Sequence, residues 1–149
     1  MTKPLLIAEL KRDEGLKLFA YDDATGRNIV KLSTVVGHPS IGIGRALDVH
    51  GITEAEAEYL CSNDIDVITA ALVKNYAWFP WLDDVRQRVV ANMAFNLGVA
   101  GLDTFHQTLD FIGRHQFGLA SKEMENSAWY RETGERAKRL AQMMATGRA

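Results

Sequence analysis

Glu14 and Asp23 stand nine positions apart in the run Arg12-Asp13-Glu14-Gly15-Leu16-Lys17-Leu18-Phe19-Ala20-Tyr21-Asp22-Asp23. Two carboxyl groups on separate elements suit the cleavage of a glycosidic bond. One donates a proton to the leaving oxygen; the other activates water or stabilises the cationic transition state from the opposite side. A helical pattern leads into the run and breaks at Gly15, which puts Glu14 at a helix C-terminus. A carboxylate there meets the negative end of the macrodipole, a misfit of a few tenths to about 1 kcal/mol. Local conflicts of this kind gather at working sites. Two solvated surface acids would show the same spacing, and on spacing alone that is the stronger reading.

A second group of residues is Ser40-Ile41-Gly42-Ile43-Gly44-Arg45. A hydroxyl opening a short strand can orient a water beside Asp23. The two glycines permit a close backbone approach to a ligand or a sharp strand bend. Taken alone, a strand whose glycines serve packing is the stronger reading.

The elements that must hold these side chains can be read from pattern. Pro4 suits a first helical turn, and Leu6, Ile7 and Leu10 give that helix an apolar face. Turn-rich, alternating sequence follows as far as Arg45. Asp23-Ala24-Thr25-Gly26 is a turn signal, and the β-branched run 29–36 predicts a strand before Gly37-His38-Pro39 breaks it. A small antiparallel sheet of two or three strands results. Thr53 caps the next helix, with Glu54 and Glu56 in its first turn. Cys61, Ile65, Ile68 and Leu72 form one stripe along a helix of about 20 residues. Trp78-Phe79-Pro80-Trp81 interrupts. Asp83 then caps a helix that is apolar almost all round and ends at Gly98, the mark of a buried central helix. Further helices are expected over 103–114, 117–127 and 135–145. The order gives an α+β fold with segregated parts.

Composition narrows the function classes. The chain has 149 residues, 47% hydrophobic and 24% charged, with a net charge of −2. That suits one soluble domain and offers no global basic field for nucleic acid or anionic membrane. Cys61 is the single cysteine, so there is no internal disulfide framework, and no Cys/His spacing suggests zinc. His38, His50, His106 and His115 are scattered, which fits solvated or structural roles rather than metal ligation. No apolar run is long enough to span a membrane, and the N-terminus lacks a signal-peptide core. Positions 131–149 carry five cations against two anions, a local basic patch. Such a patch can attract a polyanion, though its usual meaning is a solvated helix face.

Four stretches occur in an order that resembles the phage-type lysozymes, the endolysins of glycoside hydrolase family 24. They are the run from Arg12 to Asp23, the Ser-Ile-Gly-Ile-Gly segment, Asn92-Met93-Ala94-Phe95-Asn96-Leu97-Gly98, and the stretch from Trp129 to Arg139. The resemblance covers nearly the whole chain. It implies a lysozyme-like α+β fold: one domain with a sheet-bearing lobe at about 14–60, a connecting helix at about 53–75, and a helical lobe made of 76–149 plus 1–13. A glycan strand would lie between the lobes.

The resemblance places the general acid on Glu14. It places the second carboxylate on Asp23 rather than Asp22, since Tyr21 fixes the register. The family threonine falls on Ser40, which keeps the hydroxyl and loses a methyl. Phe95, Asn96 and Thr108 match groove positions, with a core role the stronger reading for Phe95. Trp129 is expected to pack the last helices together. Arg136 matches an arginine that approaches the catalytic glutamate. Arg45 stands where many relatives carry histidine, and an ion pair to Asp64 is expected. Two further departures are an insertion between Asp23 and Ser40, expected to lengthen a hairpin, and a short stretch after Arg45 that leads straight into the long helix.

The implied activity is hydrolysis, with inversion and without metal or cofactor, of the β-1,4 bond between N-acetylmuramic acid and N-acetylglucosamine in bacterial peptidoglycan. The protein would act as a monomer. It would wait in the host cytoplasm until a separate holin-type protein opens the membrane. A lytic transglycosylase, or a wall-binding phage protein without turnover, would draw on the same resemblance.

Overall fold

The computed structural model describes residues 1–149 and resolves into two compact units, Met1–Glu58 and Tyr59–Ala149. The first contains helix α1 (Lys3–Asp13), a three-stranded antiparallel sheet in the order β1 (Lys17–Asp22), β2 (Pro39–Gly42), β3 (Arg45–Ala46), and the one-turn helix α2 (Leu47–His50). Pro4 opens α1 as its fixed φ allows. The apolar side chains of α1 stay unburied: Leu5, Ile7 and Leu10 are exposed. By contacts this helix groups with the sheet.

In the sheet, Tyr21 pairs with Ser40 and Asp22 with Pro39, while Ser40 also pairs with Ala46 on the other side. Ser40 therefore sits in the middle strand. Gly42 and Gly44 both adopt φ of +70°, where a side chain would be strained, and they turn β2 back into β3. The strand bend foreseen for these glycines is formed.

The expected strand over 29–36 is not formed. A single bridge, Tyr21 to Asn28, starts a hairpin, and the chain then leaves the sheet. The backbone donors of the run go elsewhere: Val30 N–H to the Ser33 hydroxyl, and Val36 and Gly37 N–H to the Asp22 carboxylate. Val30 and Val36 are exposed, so the β-branched run has no buried face to favour pairing. The insertion is a loop gathered on Asp22 rather than a longer hairpin. The stretch after Arg45 is not bare either, since α2 forms there.

Helix α3 (Glu54–Asn75) begins in the first unit and continues into the second. Its start is a capping box: Glu56 N–H donates to the Thr53 hydroxyl at 3.2 Å, and the Glu56 carboxylate accepts from Thr53 N–H at 2.8 Å.

The second unit is helical: the rest of α3, a 3-10 turn (Phe79–Trp81), α4 (Asp84–Leu97), α5 (Val99–Asp103), α6 (His106–Gly113), α7 (Phe117–Asn126), α8 (Ala128–Thr133) and α9 (Glu135–Thr146). The Asp83 carboxylate caps α4 by accepting from Arg86 N–H at 3.0 Å. Val89, Val90, Met93 and Ala94 of α4 are buried against Leu102, Ile112, Met124, Leu140 and Met144. Each large apolar side chain buried in this way contributes about 1.5–3 kcal/mol. Polar ties set the helix register: the buried Ser121 hydroxyl donates to the Ala141 carbonyl at 2.8 Å, joining α7 to α9. The Arg86 guanidinium lies 3.8 Å from the Phe117 ring centroid and its Nε donates to the Met144 carbonyl. The expected helix over 103–114 is α6, which starts at His106, and the short α5 before it was not foreseen. No helix is long and apolar enough to cross a membrane.

Candidate active site

Glu14 caps the C-terminus of α1, its N–H donating to the Leu10 carbonyl at 2.8 Å. Gly15, at φ +80°, then turns the chain into β1. The Glu14 side chain is exposed. Its carboxylate lies over the β2–β3 bend, where a Cβ on Gly44 would stand 3.7 Å from Oε2. Lys17 does not neutralise it: the amine donates to the Gly26 carbonyl at 2.8 Å and lies 4.1 Å from the centre of the Tyr21 ring.

The adjacent aspartates at the end of β1 have different surroundings. Asp22 is 3% exposed, and its carboxylate accepts from the N–H groups of Ala24, Val36 and Gly37, each at 3.0 Å. These donors, Val36 foremost, hold its carboxyl below the usual carboxylate range despite burial. A depressed carboxyl stabilises the fold above the ordinary carboxylate pKa, and the effect is lost as pH falls through the depressed value. Asp22 is thus the acid-sensitive fastening of the loop. Asp23 is exposed, and its carboxylate accepts one hydrogen bond, from His38 N–H at 2.7 Å. Asp23 N–H donates in turn to the His38 carbonyl at 3.1 Å. This leaves Asp23 with oxygen lone pairs free for a ligand or a water, and Asp22 with few.

Ser40, 2% exposed, stands opposite Tyr21, two ladder positions from the Asp23–His38 pair. Glu14, Asp23 and Ser40 therefore share the first unit, on a helix end, a strand end and the middle strand.

Arg45 does not pair with Asp64. Its Nε donates to the Gly51 carbonyl at 2.7 Å and its Nη1 reaches Glu56 at 3.1 Å. The turn of α2 brings Arg45 to the start of α3, beside the capping box, rather than farther along that helix.

The other predicted residues lie in the second unit. Asn96 accepts a hydrogen bond from Trp129 Nε1 at 2.8 Å, and Trp129 packs edge-on against Phe105. Trp129 is buried and serves packing, as expected. Thr108 is 3% exposed and lines, with Trp129 and Phe105, a cavity of about 800 Å³. Phe95 is 46% exposed, which overturns the core reading; it lines a second cavity of about 620 Å³ with Ile65, Ile68, Asn92 and Arg136. Arg136 donates to Asn92 Oδ1 at 2.9 Å. Reading the sequence missed Asp22 as the loop fastening, although Asp-x-x-x-Gly turn chemistry was visible there. It also assigned no task to His38, Asp48 or Asn92.

The family model for phage lysozyme matches residues 11–144. The chain belongs to that family. The Probable T4-type lysozyme 1 of Dictyostelium discoideum is 31% identical over 93% of this chain and 92% of its own. The Probable T4-type lysozyme 2 of the same organism is 26% identical with the same coverage. The Pre-baseplate central spike protein Gp5 of Enterobacteria phage T4 is 28% identical, over 93% of this chain but 27% of its own length. As a phage lysozyme family member the protein is a lysozyme-type muramidase, a glycosidase whose substrate is peptidoglycan.

Proposed function

We propose that the protein is an endolysin that hydrolyses the β-1,4 bond between N-acetylmuramic acid and N-acetylglucosamine by a single inverting displacement. Glu14 protonates the leaving oxygen. Asp23 activates the attacking water and offsets the positive charge that develops on the sugar, and Ser40 helps to place that water. Phe95, Asn96, Thr108 and Arg136 contact the glycan and its substituents. The enzyme works as a monomer in one lysozyme-like domain, needs no cofactor, and reaches the wall after another protein opens the membrane. The observation that carries the reading is the contrast at the end of β1. Asp22 is buried under three backbone donors while Asp23, with one, stays open to solvent in the same unit as an exposed Glu14.

Product analysis tests it. Hydrolysis by inversion is expected to release a reducing-end N-acetylmuramic acid that first appears as the α-anomer, read by proton NMR within seconds of cleavage. A β-anomer would replace the single displacement by a retaining route. An anhydro sugar would make the protein a lytic transglycosylase, and no released sugar would leave only wall binding.

Gly37 supplies a second test. A Cβ there would stand 2.1 Å from Asp23 Oδ1 and 2.9 Å from the Ala24 backbone nitrogen, so either the carboxylate or the loop must move. Small misplacements of a reacting group cost up to about 100-fold. Gly37→Ala is expected to slow wall clearing by about 10–100-fold, with a cooperative melt retained. Wild-type clearing would show that the position of Asp23 is not critical.

A further inference from the structure

His38 touches Asp23 through its backbone and an acid on a different element through its ring. Its N–H is the donor to Asp23 Oδ1, and its Nδ1 lies 2.8 Å from Asp48 Oδ2 on α2. The imidazole thus anchors the end of the inserted loop to α2 through the same residue whose N–H holds Asp23. Gly37, on one side, leaves no room for a side chain, and Pro39, on the other, has its φ fixed by its ring. The position of the residue 38 peptide is therefore set by three local constraints, of which the His38–Asp48 contact responds to protons in the imidazole range, while Asp22, which holds the Gly37 N–H, responds at acid pH.

We propose that the His38–Asp48 pair is a pH-sensitive positioning device for Asp23, holding the carboxylate in its working rotamer while the imidazole is protonated. The inference rests on the reading of Asp23 as a reacting group. The charged groups that face the imidazole are Asp48 from α2 and Asp23 from the end of β1. Asp22, the last residue of β1, is saturated by backbone donors, and Arg45 on β3 is engaged by Gly51 and Glu56. The hydrogen bond and charge of Asp48, with a smaller contribution from Asp23, raise the His38 pKa above the ordinary imidazole value. The hydrogen bond from His38 lowers that of Asp48.

The sign of the coupling follows. The contribution of His38 is fully present below the ordinary imidazole pKa and is lost as pH rises through its raised value. That of Asp48 is present above the ordinary carboxylate pKa and is lost as pH falls through its depressed value. The device is engaged between these limits, from the ordinary carboxylate range up to the raised value of His38. Both side chains are about half exposed, so the pair adds little to global stability. Its effect is local, on the peptide that holds Asp23.

The test compares wild type, Asp48→Asn and His38→Gln on soluble glycan strands, with the His38 imidazole followed by NMR in the first two. In wild type the imidazole should titrate above the ordinary value, and the alkaline limb of kcat should follow it. Asp48→Asn should move both to lower pH and cut kcat just below the ordinary imidazole pKa about 3–10-fold, a fraction of the 100-fold that full misplacement can cost. KM and melting temperature should change little. His38→Gln should lower kcat and remove that limb altogether. A limb that ignores the shifted imidazole titration, or an unchanged kcat in both variants, overturns the proposal and leaves the muramidase reading intact. Failure of the muramidase reading would show differently, as full activity in a Glu14 or Asp23 variant.

Discussion

Glu14→Gln is expected to abolish the clearing of outer-membrane-permeabilised cells while the protein melts at the wild-type temperature or slightly above it. Glutamine keeps the size of the side chain and removes the proton it can donate. General acid catalysis is worth about 10²–10⁴-fold, and the leaving sugar oxygen has no second acid among the residues assigned here. The fold should not suffer, because the Glu14 carboxylate accepts no hydrogen bond from the protein and is exposed. It stands at the C-terminal end of α1, where an anion opposes the helix dipole. Neutralising it relieves up to about 1 kcal/mol of that repulsion. Lost activity with unchanged or higher stability is the signature of a working acid, since a structural carboxylate would lose both. Turbidity and thermal melts on one sample decide it, and a variant that clears cells at the wild-type rate removes Glu14 from the reaction.

The parts of the fold that were legible in the sequence are those fixed by local chemistry. Thr53 with Glu56, and Asp83 with Gly98, mark helix ends because their side chains or backbone freedom satisfy groups a few residues away. The core face of α4 was readable from its apolar run, with Val89, Val90, Met93 and Ala94 buried, although the opposite face is open rather than buried all round as expected. The run 29–36 was misread for the opposite reason. Its β-branched residues favour a strand locally, but the donors of Val36 and Gly37 are claimed by Asp22, 14 and 15 positions earlier. Periodicity cannot see such a contact. Phe95 failed similarly: its neighbours Met93 and Ala94 are buried, while it lies on the face of α4 that opens to a cavity. Arg45 was given the wrong acid because α2, a single turn without a strong pattern, redirects the chain towards Glu56.

The candidate site was legible in a different way. Nothing in the spacing of Glu14, Asp23 and Ser40 distinguishes them from surface residues; the resemblance singled them out. What the structure adds is the environment. The assignment of Asp23 over Asp22 rested on counting from Tyr21, and the two side chains now differ in a property that bears on reactivity, access to solvent. His38 could not be found from sequence, because one histidine among four scattered ones carries no pattern until α2 places Asp48 beside it. The relatives bear on the biological setting: one is a phage spike protein of which the shared part is about a quarter. The shared region thus lies within a longer spike protein as well as spanning nearly all of the two T4-type lysozyme relatives.

Asp23→Asn is expected to lower kcat by about 10²–10⁴-fold, the range for a positioned base, with little change in KM or melting temperature. The substitution is isosteric. Its side-chain oxygen can still accept from His38 N–H, so the contact that orients residue 23 survives. What goes is the negative charge. An amide can neither take the proton of the attacking water nor balance the cationic sugar, and both losses fall on the transition state rather than on binding. The effect should therefore appear in kcat and equally in kcat/KM, the pattern of an interaction made only during reaction. Measurement on soluble glycan strands separates the two constants, which cell turbidity cannot. A fall confined to KM would make Asp23 a binding residue, and an unaffected kcat would leave water activation in this site without a carboxylate.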